Sequence, residues 1–380
     1  MQIVVALSIL STIFAFQLPR KSLKPKLIYS SIKMSGNKRK IQDSLAEVSK
    51  DGKFVRTASK FRNIIGESEK YPAEANRYHL YICNACPWAN RTNAVRIMKG
   101  LKDVIGLSVT HPTWQKTKPD DDEDGHHGWA FANEGDPPFT PPSGVGSIPC
   151  KDVIPDMINN QKYVRDIYES VDDSQTKYTV PLLYDKKTNT IVNNESSEIL
   201  RMFNDSMAKF VGSDKTTQDL YPKHLQSQID EINEWIYHDI NNGVYKCGFA
   251  KSQSAYDAAV DKLYIALDRV EDILSKSRYL VSNTELTEAD IRLFMTLIRF
   301  DEVYVVYFKT NIRPISSYSN ITNYLREMYQ LSWIKESINM DHIKQHYFTS
   351  HPTLNTYSVI PKGPNVIEDM LKPHDRNRKW

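Results

Sequence analysis

The sequence predicts an α/β unit followed by an all-helical unit. Short apolar runs alternate with helical segments from Tyr78 to Asn204, whereas beyond about Leu220 the apolar residues recur almost entirely at helical spacing. No fixed repeat period runs through the 380 residues, which argues against a solenoid. At roughly 150 residues per domain the length suits two cores. The expected layout is a leader and flexible arm over 1–50, an α/β unit over 51–212 with a long insertion at 111–155, and a helical unit over 213–380.

The first strand is expected at Tyr78–Cys83, followed by a helix from about Pro87 to Lys99 that Gly100 stops. A second strand follows at Gly106–Val109. The insertion carries DDDEDGHH and PPFTPPSGVG and shows no internal periodicity; its acidic run reads as a solvated loop rather than a metal site, since clustered like charges repel unless an ion is present. Next come a helix over Met157–Val171, a strand over Val180–Tyr184, a turn at Lys186–Asn189, a strand over Thr190–Val192 and a helix from Ser196. The order βαβ, then α, then ββα is the thioredoxin-like arrangement. In the helical unit, Tyr256, Val260, Leu263, Leu267, Val270 and Leu274 recur every three or four residues, which gives one buried helix face. Thr287 with Asp290 forms a capping box, and Leu286 with Ile291 the staple beside it.

Composition narrows the function classes. Charge is asymmetric: eight of the 49 Lys and Arg fall in the first 42 residues, which hold no acid, leaving 41 against 46 Asp and Glu in the rest. A mildly acidic body lacks the basic face that a nucleic-acid reader needs. The one long apolar stretch, Ile3 to Phe16, is shorter than the about 20 residues that span a bilayer. With the basic, acid-free segment behind it, it resembles a bipartite plastid-targeting leader; mitochondrial import, secretion, or a cytoplasmic product begun at Met34 are the alternatives. Four cysteines, Cys83, Cys86, Cys150 and Cys247, are too few for a disulfide scaffold.

The sharpest chemical feature is Cys83-Asn84-Ala85-Cys86-Pro87-Trp88, where a strand hands over to a helix. Proline suits the first helical position, so Cys86 stands at the helix N-terminus. Free N–H groups and the helix dipole there are expected to lower its thiol pKa and make it a nucleophile. Cys83, at the strand end, is a resolving thiol or simply a strand residue. A Cys-x-x-Cys pair with no second pair lacks the ligands of a zinc site, so no metal is expected. A second feature joins Thr179-Val180-Pro181 to Glu195-Ser196. The Val180-Pro181 bond is a candidate cis peptide that turns the Val180 backbone toward a ligand. Glu195 and Ser196 open the next helix, where a carboxylate can take an ammonium and the N–H and hydroxyl groups a carboxylate. A zwitterionic, peptide-like ligand fits; a capping box with no ligand is the plain alternative.

From about Gly52 to Pro364 the chain resembles the Xi-class glutathione transferases, or glutathionyl-hydroquinone reductases. The resemblance is carried in order by CPWANR, GWAF, TVPLLYDKKTNTIVNNESSEILRMFN, GVYKCGFA, LTEADIRLF, RFDEVYV, MDHIKQHYF, SHPTLN and VIPKGP. It implies a thioredoxin-like domain with a helical glutathione-transferase domain, glutathione as co-substrate, and a homodimer. It further implies Cys86 as nucleophile, Trp129, Arg165, Val180, Glu195 and Ser196 as glutathione contacts, and Tyr245 and Tyr304 at the quinol pocket. Tyr307 stands where such sequences often carry histidine, which leaves Tyr304 and Tyr307 as candidate hydroxyl donors. The implied reaction is deglutathionylation of a glutathionyl-hydroquinone through a mixed disulfide on Cys86. A general thioltransferase or dehydroascorbate reductase, and a catalytically silent glutathione-binding protein, are the alternatives.

Overall fold

A central strand, β1 (Tyr78–Ile82), carries buried side chains on both faces and organises the first half of the chain. Helix α1 (Pro87–Met98) follows it and returns the chain to β2 (Gly106–Val109), which pairs parallel with β1, Leu80 opposite Leu107. A parallel pair needs such a crossover, and the helix supplies it. The structure is a computed structural model and describes residues 47–210, 218–378 and 380. Residues 1–46 of the expected leader and arm therefore lie outside the described residues, whereas Glu47 within it is buried and paired with Lys177; the expected boundary at 212 falls in the undescribed stretch 211–217.

The insertion is more ordered than its sequence suggests. Its strands β3 (Gln115–Lys116) and β4 (His127–Gly128) form a short antiparallel ladder, and Phe139 bridges to Ile148. It also fastens onto the helical half. His346 Nδ1 lies 2.9 Å from the Pro112 carbonyl, the Thr113 and Thr349 hydroxyls are 2.8 Å apart, and Trp114 N–H donates to Ser350 Oγ at 3.1 Å.

Helix α2 spans only Val164–Val171, not the expected Met157–Val171. The Asp156 carboxylate accepts the N–H groups of Ile158, Asn159 and Gln161, and Asn160 sits at φ 53°, so the chain winds into a turn first. Strands β5 (Leu182–Asp185) and β6 (Thr190–Asn193) complete the sheet in the order β2-β1-β5-β6, with β5 antiparallel to both neighbours. Helix α3 (Ser196–Asn204) packs against α1.

The second half is helical: α4 (Gln226–Trp235), α5 (Gly243–Gly248), α6 (Gln253–Lys276), α7 (Glu288–Leu297), α8 (Val305–Tyr307), α9 (Ser319–Gln330), α10 (Ser332–Ser337), α11 (Met340–Thr349) and α12 (Val366–Met370). The expected face of α6 is buried from Val260 to Leu274, with Tyr256 only half-buried. The capping box holds: Thr287 N–H donates to Asp290 at 2.9 Å, and burial still pushes the Asp290 carboxyl up to about 6. At Gly248 any Cβ would lie 2.0 Å from the Phe308 ring, so only glycine lets α5 approach the segment carrying Tyr304 and Tyr307.

Candidate active site

Cys86 caps α1 in extended backbone (φ −77°, ψ 118°) with Pro87 behind it, and its N–H closes a turn onto the Cys83 carbonyl at 3.1 Å. Its Sγ lies 3.5 Å from the Val180 carbonyl, and the Val180-Pro181 bond is cis. Val180 N–H has no acceptor among the described residues, which leaves a donor and an acceptor of one residue beside the thiol. The expectation of a helix-lowered thiol is not met. Burial pushes the Cys86 thiol up, and the N–H groups of Ala89 and Trp88 with the guanidiniums of Arg299 and Arg56 pull it only part of the way back. Cys83 is fully buried and pushed by that burial up to about 12.

Cys86 lines the aromatic lobe of a two-lobed cleft, beside Val180, which lines both lobes. The aromatic lobe is walled by Trp114, Trp129, Tyr245, Phe249, Tyr347 and His351. The polar lobe is walled by Ser59, Asn194, Glu195, Ser196 and Tyr237, and both lobes share Arg56, Trp88, Lys177, Thr179 and Val180. In the polar lobe Glu195 caps α3, its carboxylate accepting the Ser197 N–H at 3.2 Å and the Ser59 hydroxyl at 3.1 Å. Burial opposes its charge, but the Arg91 guanidinium beside it holds the carboxyl below its usual range. Arg91 also donates to Ser196 Oγ at 3.1 Å and lies over the Trp88 ring. The polar lobe thus offers an anion and a hydroxyl on one helix start, which suits a zwitterion.

Trp129 stands in the aromatic lobe, edge-on to Trp114 and 4.6 Å from the His346 ring. Tyr245 and Tyr347 share a hydrogen bond at 2.7 Å, and the fully buried Tyr304 joins them, its hydroxyl 3.2 Å from that of Tyr347. Burial pushes the Tyr245 and Tyr347 hydroxyls well above their usual range, so both keep their protons at neutral pH.

Three expectations need correction. Arg165 does not line the cleft: its guanidinium is taken by Asp124 at 2.7 Å, Glu169 at 2.8 Å and the Thr117 hydroxyl at 3.1 Å. Tyr307 is no donor into the pocket, since its hydroxyl pairs with His351 Nδ1 at 2.8 Å. The DDDEDGHH run is not merely a solvated loop. Its Asp120 to Asp122 are exposed, but Asp124 pairs with Arg165, and His126 and His127 reach the aromatic lobe.

Sequence reasoning missed Arg56, Arg91 and Tyr347. The last two lie inside CPWANR and MDHIKQHYF, and Arg91 is five residues beyond Cys86, on the flank of the same helix. Arg56 had no signal, because it stands in a stretch without periodicity.

Comparison with known proteins agrees with this geometry. A glutathione S-transferase N-terminal domain matches residues 85–206, and a glutathione S-transferase C-terminal domain matches 253–327. The chain is 43% identical over 338 residues to the glutathionyl-hydroquinone reductase YqjG of Escherichia coli, covering 87% of this chain and 94% of that one. The glutathione-bound structure of YqjG superposes with a TM-score of 0.73 at 41% identity, covering 84% and 96% of the two chains. The crystal structure of the glutathione-S-transferase Xi of Phanerochaete chrysosporium superposes with a TM-score of 0.75 at 44% identity, covering 86% and 97%.

Proposed function

Because the chain belongs to the Xi-class glutathione transferases, the family of the glutathionyl-hydroquinone reductases, we propose that it reduces glutathionyl-hydroquinones to hydroquinones with glutathione as co-substrate. The observation that carries this reading is the position of Cys86: at a helix start, against Val180, where a zwitterion-suited lobe meets an aromatic one.

Glutathione lies with its ammonium and γ-glutamyl carboxylate at Glu195 and Ser196 and its cysteinyl backbone against Val180. Trp129 packs on the tripeptide. The Cys86 thiolate attacks the sulfur of the conjugate. The bond from that sulfur to the aromatic carbon breaks, its electron pair stays on the carbon, and a tyrosine hydroxyl of the Tyr245–Tyr347 pair supplies the proton. Cys86 is left oxidised as the mixed disulfide and the ring is reduced. A second glutathione thiolate then attacks that disulfide and releases glutathione disulfide with the Cys86 thiolate. Arg165 acts at one remove, holding Asp124 and the loop that carries His126.

Rates of hydroquinone release from a glutathionyl-hydroquinone in excess glutathione test the reading. Cys86→Ser loses about a thousandfold or more, because an alkoxide cannot form the mixed disulfide. Cys83→Ser stays within about threefold, since a thiol held near 12 is almost wholly protonated at neutral pH. Full activity in Cys86→Ser would end the mechanism. Disulfide exchange without hydroquinone release in the wild type would make the protein a general thioltransferase. The reading extends to a homodimer through the helical half, which light scattering of the full chain checks, and to plastid import, which a reporter fused to residues 1–50 checks.

A further inference from the structure

The aromatic lobe is lined by one lysine and one arginine, and the lysine is already neutralised. Lys177 Nζ lies 2.7 Å from Glu47 Oε1. Arg56 has no carboxylate within ion-pair distance among the described residues, although it stands where the two lobes join. It is nevertheless held firmly. Its guanidinium carbon lies 4.8 Å from the Trp88 ring centroid, 5.3 Å from Tyr245 and 5.5 Å from Phe54, and its Nε donates to Asn242 Oδ1 at 2.8 Å. Neither terminal nitrogen has an acceptor among the described residues. A cation fixed by three rings and one amide, with its fork unused, is preorganised for an anion that the ligand brings.

Two parts of a bound conjugate could supply that anion: a carboxylate of glutathione, or an acidic group on the quinol ring. The polar lobe already offers Ser196 and the start of α3 to the γ-glutamyl carboxylate, and Arg56 is stacked on Tyr245, whose hydroxyl belongs to the aromatic lobe; the glycyl carboxylate is the rival anion that the test below separates. Its charge also reaches the reacting groups, drawing the Cys86 thiol and the Tyr245 hydroxyl down against burial. Resting on the reductase reading above, we propose that Arg56 is a specificity residue that selects conjugates whose quinol ring carries negative charge, as a carboxylate or an ionised phenol.

The test uses the full-length protein and two glutathionyl conjugates of one quinol skeleton, one bearing a ring carboxylate and the other the isosteric carboxamide. Wild type favours the carboxylate in kcat/KM by about tenfold, the effect of one charge-assisted pair at a partly wet site. Arg56→Gln brings that ratio to about one, and Arg56→Lys, which keeps the charge but loses the fork, restores it to about threefold. A ratio is insensitive to partial misfolding, which lowers both rates together. Three results overturn the proposal: no preference in wild type, a preference unchanged in Arg56→Gln, or a rise in KM for glutathione that is the same for both conjugates and assigns the anion to the tripeptide. If wild type releases neither quinol, the reductase reading fails first. Calorimetric binding of the two intact conjugates to Cys86→Ser then decides the charge preference without turnover, equal affinities overturning it.

Discussion

Arg299, fully buried in the helical half, donates through Nε to the carbonyl of Ala85 at 3.2 Å, one residue before Cys86. Its remaining nitrogens bond the Met295 carbonyl and Asn90 Oδ1, so one guanidinium ties the Cys83–Cys86 turn, α1 and α7 together. Arg299→Met leaves three buried acceptors unpaired and should lower stability by about 3–5 kcal/mol in chemical denaturation. It should also slow Cys86 alkylation at pH 7, because one of the charges that draws the thiol down is lost. Unchanged stability would mean that water replaces the guanidinium.

Alkylation should report the state of Cys86 directly. Burial raises this thiol, so in the ligand-free protein the thiolate fraction grows with pH through neutrality instead of being saturated there. Iodoacetamide labelling of a variant in which Cys83, Cys150 and Cys247 are serine should rise by about tenfold per pH unit between 6 and 8. A flat rate across that range would show that the helix terminus outweighs burial after all.

Tyr347 bonds the Tyr245 hydroxyl at 2.7 Å and the Tyr304 hydroxyl at 3.2 Å, and is the proton donor expected of this group. Tyr347→Phe should lower kcat for hydroquinone release by about 10- to 100-fold, the usual share of one positioned acid. Tyr304→Phe, one hydroxyl further from the cleft, should cost less than about tenfold. Equal losses in the two variants would assign the proton to the network rather than to Tyr347.

Acid should also weaken the fold, through its buried histidines. Burial drives His79, His111 and His351 down to about 4, against about 6.5 when unfolded. With the folded value depressed, their contribution is present above about 6.5 and is lost as pH falls toward 4, by up to ~1.4 kcal/mol per pH unit for each. Thermal denaturation should therefore give a Tm lower at pH 5 than at pH 7.5. His351→Gln should flatten that slope.

What could be read from the sequence was what local rules dictate. Pro87 after Cys86 fixed the helix start, Thr287 with Asp290 fixed another, and the spacing from Val260 to Leu274 fixed a buried face. What could not be read depends on partners far away in the chain. Arg165 looked available because Asp124, 41 residues earlier, sits in a run that resembles a solvated loop. Tyr307 looked free because its histidine lies 44 residues further on. The helix expected from Met157 gave way to a turn because one buried carboxylate, Asp156, collects three backbone N–H groups. The direction of the Cys86 shift was missed for a related reason: a helix terminus is visible in four residues, whereas burial is a property of the whole cleft.

The insertion meets α11 through Pro112, Thr113 and Trp114, which face His346, Thr349 and Ser350. These two segments, more than 230 residues apart, form one wall of the aromatic lobe, so neither can drift on its own. A lineage that changes the quinol it accepts by reshaping one must adjust the other in step. The record of that history should be paired substitutions across the two stretches, with the strands beneath them left unaltered.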